Sequence, residues 1–342
     1  MSIKDRASVS ESLKGGGAVN IEDMFSTYVY TGNGAAGQTI TTGIDLVNND
    51  GLVWIKNRTG TIRDHILVDT INTATSSLRS NQNYPGSDRS LDFTGFTSSG
   101  FSVDLAQTDV TNDTVDYVSW TFKKQPRFFD MVKYTGNGVA GREIAHDLGC
   151  DVGMMIVKNL GIATEWFTYH RGNTANPETQ KLYLNTTAAT ASELGAWNDT
   201  APTDSVFTVG TRQEVNFSGN EYIAYLYAHD PLGASGDGSD GMIACGSFTT
   251  GGTGRAEVVL GWEPQYVLAK RYDDVSEWFI VDSLRGYPAA GNNWPLRANS
   301  NTAEFESNIG NLTATGFIFT ESVSRDYVYM AIRRWSRVCS GA

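Results

Sequence analysis

Four histidines, three cysteines and eight prolines in 342 residues exclude several kinds of chemistry at the outset. Cys150, Cys245 and Cys339 lie far apart and form no CxxC pair, which argues against a disulfide framework and a structural zinc site. They read as free thiols of a chain made in a reducing cytoplasm. His65, His146, His170 and His229 include no HExxH and no close pair, so neither a metalloprotease helix nor the base of a triad is predicted. No apolar run is long enough to cross a bilayer, and Met1 to Gly17 contain no apolar leader, so no membrane or targeting segment is expected. Charge is also sparse. Asp, Glu, Lys and Arg make up 19% of the chain, are scattered, and sum to −12, so no basic stripe exists to neutralise phosphates. Nucleic acid is not a predicted partner.

The composition favours strands. There are 36 glycines, 11% aromatic residues and abundant Thr, Ser and Asn, with few of the long charged side chains that fill exposed helix faces. In Gly100-Phe101-Ser102-Val103-Asp104-Leu105 the apolar residues fall at every second position, as a strand with one wet face requires.

The strongest signal is an internal repeat. An aromatic strand enters a glycine turn at Tyr30-Thr31-Gly32-Asn33-Gly34, at Tyr134-Thr135-Gly136-Asn137-Gly138, and more loosely at Phe248-Thr249-Thr250-Gly251-Gly252. A second apolar strand ends in a base at Lys56, Lys158 and Lys270. Shortly after each comes Asp64-His65-Ile66, Glu165-Trp166-Phe167 or Glu277-Trp278-Phe279, and then Leu78-Arg79-Ser80-Asn81, Leu182-Tyr183-Leu184-Asn185 or Leu296-Arg297-Ala298-Asn299. The closing strands begin at Tyr117, Tyr222 and Tyr327, at intervals of 105 residues (222 − 117 and 327 − 222).

A unit of this length, with short β-branched and aromatic runs punctuated by Gly, Asn and Thr, predicts an all-β chain of three tandem antiparallel β-sandwich modules of jelly-roll type. The expected boundaries are a short N-terminal arm at 1–23, modules at 24–126, 127–230 and 242–342, and a Gly-rich linker at 231–241. The arm carries Gly15-Gly16-Gly17 and too little apolar content for a core, so it is expected to order on a partner. The linker, PLGASGDGSDG, reads as a flexible or looped connector that sets the third module at its own angle, with the modules in series.

The YTGNG turn, the Val/Ile-x-Lys-Asn strand, the Glu-Trp-Phe strand and the closing Tyr222-Ile223-Ala224-Tyr225-Leu226-Tyr227 together resemble the repeated domains of tail-fibre and appendage proteins of tailed bacteriophages, notably those of marine bacteria and cyanobacteria. The resemblance covers roughly residues 24–336. It implies a virion structural role with host-surface contact and carries no active-site residues. The third module departs from the pattern, with a loosened turn and Trp262-Glu263-Pro264 before its lysine strand.

Candidate sites are few. The glycine turns lack the Gly-Lys-Ser/Thr and following helix of a phosphate loop. The recurring acids Glu165 and Glu277 read as structural, because a glycosidase needs two carboxylates in one cleft rather than one per module. Asp230, Asp237 and Asp240 have the right chemistry for calcium but fit no EF-hand spacing. Trp54, Trp120, Trp166 and Trp278 lie in repeated strands and are predicted core. Trp197 and Trp294 lie in polar loops beside Asn and Asp and are the candidate glycan contacts, the alternative being an indole folded back on its own sandwich or into a subunit interface. The basic end Arg333-Arg334-Trp335-Ser336-Arg337 is the one local cluster of positive charge. No catalytic residue, cofactor or metal is predicted.

The expected function is that of a bacteriophage virion structural protein, a tail fibre or appendage contributing to host attachment and located in the virion. Its expected partners are tail proteins through the arm, copies of itself in a homotrimer, and host surface polysaccharide. The alternatives are a lectin-like receptor-recognition module and a head decoration or tail adaptor.

Overall fold

The computed structural model describes residues 20–35, 37–72, 76–88, 93–104, 110–112, 114–252, 254–287 and 292–334. Most of the arm, Cys339, and Trp335 to Arg337 of the basic end lie outside the described residues. With 45% strand and 5% helix the protein is all-β, built of antiparallel sheets in three sandwich modules.

Each module repeats one wiring. An opening strand (Phe25–Thr31, Phe129–Thr135, Ile243–Thr249) pairs with the closing strand (Asp116–Lys123, Glu221–Ala228, Asp326–Arg333). The closing strand pairs on its other side with the lysine strand (Gly51–Asn57, Val152–Asn159, Pro264–Arg271), which pairs with a fourth strand (Ile66–Asp69, Phe167–His170, Trp278–Asp282). A smaller sheet covers one face, with Gln38–Thr41 on Gly100–Val103, Arg142–Ala145 on Val206–Val209, and Arg255–Val259 on Gly316–Thr320. First strand pairs with last and second with a late one, which is the wrap of a jelly roll.

The register explains the recurring tyrosines. Tyr30 opposes Tyr117, Tyr134 opposes Tyr222 and Phe248 opposes Tyr327, and each pair stacks with ring centres 5.1 Å apart. The glycine that follows each tyrosine turn is there for clearance: a Cβ on Gly32 or Gly136 would stand 2.0 Å from Asn112 O or 2.2 Å from Phe217 O. The hydroxyls of Tyr30 and Tyr134 donate to the carbonyls of Val110 and Val215 at 2.8 and 2.7 Å. Phe248 lacks that bond. Tyr134→Phe is therefore expected to lower stability by about 1 kcal/mol, read from the urea midpoint, because it strips the partner from a buried carbonyl and keeps the ring.

The large sheets are apolar on both faces because both faces are covered. Leu52 and Trp54 face one cluster while Val53 and Ile55 face the sandwich of their own module. In the third module Tyr266 and Leu268 face the first of these clusters while Val267 and Ala269 face their own sandwich. That common cluster takes side chains from all three modules. Phe122 of module one lies 5.5 Å from Phe129 and 5.5 Å from Tyr227 of module two, and 6.2 Å from Tyr266 of module three.

The modules are thus not strung in series. A sheet with a second apolar face must bury it, and three such faces meet in one core. The 231–241 connector is a tied loop rather than a free tether. One guanidinium nitrogen of Arg333 donates to the carbonyls of Gly238, Ser239 and Gly241 at 2.9–3.1 Å, and Arg127 donates to Gly233 O at 2.9 Å while pairing with Asp230. Because the opening strands start and the closing strands finish together, Met24, Arg334 and both inter-module links share one end of the body. The glycine turns and hairpin tips occupy the other.

Candidate functional site

The chemistry-bearing residues gather at the seams between modules. The last residue of the fourth strand is Asp69, His170 or Asp282. Each takes a backbone N–H two or three residues on: Asp69 from Ile71 and Asn72, His170 from Gly172, Asp282 from Arg285. Each then reaches the closing strand of the next module. Tyr225 Oη donates to Asp69 at 2.7 Å, His170 Nε2 donates to Tyr329 O at 3.0 Å, and Trp120 Nε1 donates to Asp282 at 3.0 Å. The sense runs from one to two, two to three, and three back to one.

A second set of bonds runs the opposite way and also closes. His65 Nε2 donates to Arg297 O at 2.9 Å, Trp166 Nε1 to Gln82 O at 2.9 Å, and Trp278 Nε1 to Tyr183 O at 2.8 Å. The three recurring asparagines fix these donors. Asn81, Asn185 and Asn299 each accept the backbone N–H of His65, Trp166 or Trp278 and donate to Asp64, Glu165 or Glu277. The recurring acids are therefore clamps at strand starts.

The lysines that end the third strands are fully buried. Lys158 Nζ donates to Asn83 O of module one and to Thr164 O of its own hairpin, at 3.2 and 3.0 Å. Lys270 Nζ repeats this on Thr187 O of module two, at 3.0 Å. Burial pushes both ammonium groups down to about 8. Sequence reading used these lysines as landmarks and missed their role, because backbone carbonyl acceptors leave no trace in residue identity.

The seam between modules three and one, which no peptide link crosses, carries a charge network. Arg58 forks onto Glu304 at 2.9 and 3.0 Å. Arg285, almost wholly buried, pairs with Asp282 at 2.6 Å and with Glu304 at 3.5 Å, and its guanidinium lies 5.3 Å from the Trp120 ring centre.

Trp54, Trp120, Trp166 and Trp278 are core residues. Of the two candidate glycan contacts, Trp197 is not available for stacking. It is 1% exposed, because the four-residue helix Leu194–Trp197 turns its leucine to solvent and drives the indole between Phe167 and Tyr169, where Nε1 donates to Gln180 O at 3.0 Å. Trp294 is 42% exposed. The two lie in different modules and form no joint site. Asp237 and Asp240 both accept from the Ser235 hydroxyl, but Asp230 is committed to Arg127, so the three aspartates do not form one site. Among the described residues no group of three or more His, Cys, Asp or Glu is placed to hold a metal ion. Burial pushes the Cys150 thiol up to about 12 and Cys245 further, so neither is a thiolate at neutral pH.

Fold and seams define a class: an all-β protein in which three homologous sandwich modules close a pseudo-threefold ring around one core. The chain belongs to the family described as a domain of unknown function, DUF7483, which matches residues 21–334 and so takes in the whole ring as one unit. No curated protein and no solved structure matches it.

Proposed function

We propose that this chain is a non-enzymatic structural component of a bacteriophage virion, a tail fibre or appendage that contributes to host attachment. The observation that supports this reading best is the use of the buried polar groups. Histidines, aspartates and indoles that would serve catalysis elsewhere are spent on two closed circuits of bonds that hold the ring together. The likeness of the repeat to appendage domains supports the same reading.

The polarity of the body fits attachment. The chain enters and leaves at one end, where the arm would join tail proteins, and the loop tips project from the other. The threefold symmetry expected of a homotrimer is offered here within one chain, whose large sheets are already covered on both faces. A solution mass near 37.2 kDa supports that arrangement, and three times that value overturns it. A tag placed in the exposed Ala234–Ser239 loop and followed on purified particles by electron microscopy tests the role. Label on the tail is the expected result. Label on the head selects a decoration protein instead, and absence from particles sinks the virion reading.

A further inference from the structure

The three modules differ at the loop-tip end, and the difference opens a groove in the third. In modules one and two the segment before the closing strand folds back over the stacked ring pair. Buried Val110 and Val215 sit there, and the N–H groups of Asn112 and Phe217 donate to the hydroxyls of Tyr117 and Tyr222 at 2.9 and 2.6 Å. In module two this segment spans residues 210–220 and includes the helix Gln213–Asn216. In module three only residues 321–325 separate Thr320 from Asp326, and Phe248 stands where the opening tyrosine stood. Among the described residues no segment of that length folds back over the Phe248–Tyr327 pair, although Tyr327 itself is buried. A groove of about 310 Å³ lies there instead.

Its floor is apolar, formed by Phe279, Ile309 and Phe319, and its rim is polar, with Asn308, Glu321 and Ser322. Among the described residues that line it, Glu321 is the one charged group. That carboxylate is held in place by Tyr327 Oη at 2.8 Å on one oxygen and by Ser322 N–H at 2.8 Å on the other. A fixed anion repels phosphates, nucleotides and acidic peptides. A polar rim disfavours a purely apolar ligand, whose burial would strip water from the rim. What suits an apolar floor beneath a carboxylate, an amide and a hydroxyl is a neutral sugar ring, with one C–H face and a fringe of hydroxyls. The volume lies at the small end for ligand pockets, about 300–1,000 Å³, as a short subsite would.

We propose that this groove is a subsite for a neutral saccharide of the host surface, presented at the end of the ring away from Met24 and Arg334. The proposal rests on the host-attachment reading and names its ligand class. The test uses the full chain with maltose, lactose and N,N′-diacetylchitobiose, with glucosamine as an amine control, followed by saturation-transfer NMR and calorimetry. Saturation transfer to at least one neutral sugar is expected. Asn308→Ala, at an exposed rim position, should weaken it by about tenfold, and Ile309→Trp, which fills the groove, should abolish it. Asn308→Ala keeps the proposal falsifiable if the tryptophan variant fails to fold. Binding of no neutral sugar, binding of glucosamine alone, or binding unchanged in both variants overturns the groove. None of these outcomes moves the protein off the tail, so the two readings fail separately.

Discussion

Replacing Arg285 by alanine is expected to lower stability by about 3–5 kcal/mol, the usual cost of removing one member of a buried ion pair. Asp282 would keep its place, because its other oxygen is fixed by the Arg285 backbone N–H at 2.9 Å, but would lose the guanidinium at 2.6 Å while remaining almost wholly buried. Its remaining side-chain donor, Trp120 Nε1, is neutral and cannot balance the charge. Arg285 also donates to Ile280 O at 3.2 Å and to Trp294 O at 3.1 Å, so two carbonyls each lose a donor as well. Arg285→Lys should recover only part of the loss, since a single ammonium cannot fork over Asp282, Glu304 and both carbonyls. The seam affected has no peptide link to restrain it. The urea transition should therefore broaden or divide as module three separates before the others, in contrast to one cooperative transition for the native ring. Tryptophan fluorescence follows this directly through Trp120. A loss under 1 kcal/mol with a single unchanged transition would sink the idea that this network locks the ring.

The repeat, the β class and the module count were legible in the chain because they rest on side-chain type and spacing, as at Tyr117, Tyr222 and Tyr327. The closed ring was not. Its circuits run from a side chain in one module to a carbonyl or an indole in another, as from Lys158 to Asn83 O or from Trp278 to Tyr183 O. A carbonyl has the same chemistry under any residue. Of the two readings of the 231–241 segment, flexible or looped, the sequence could not choose the loop for a related reason. Its composition signals freedom, whereas Arg333 and Arg127 tie its backbone down through carbonyls. The closing strands are apolar on both faces, which reads as a central place in the sheet, yet a two-layer sandwich explains only one face and the common core covers the other. At Trp197 the sequence left two readings open, a glycan contact or an indole folded back on its own sandwich, and the second holds. A four-residue helix sufficed to turn it inward.

Acid should open this protein through its histidines, as pH falls below about 6.5. All four histidines are held as neutral rings by a donor aimed at Nδ1: Trp54 Nε1–H on His65, Leu148 N–H on His146, Gly172 N–H on His170 and Cys245 N–H on His229. A second proton on any of these rings must displace its donor. At His65 and His170 the other nitrogen donates across a seam, so those rings cannot turn to accept a proton without breaking the circuit. Burial holds His170 down to about 3 and His229 down to about 4, and depresses His65 and His146 as well; Arg171 and His229 beside His170, and Lys56 and Arg285 near His65, act in the same direction. The unfolded chain binds these protons near the usual 6.5 while the native ring refuses them. Below that value the unfolded state holds more protons, so stability is full above about pH 6.5 and is lost as pH falls toward 4. His170 alone should contribute about 3 kcal/mol of that loss by pH 4, at roughly 1.4 kcal/mol per pH unit. His170→Gln keeps an amide able to donate to Tyr329 O and has no proton to gain. It should be slightly less stable at pH 7, yet lose about 3 kcal/mol less between pH 7 and pH 4 in urea titrations. If its pH profile parallels that of the native chain, the histidine at this seam is not what makes the ring acid-sensitive.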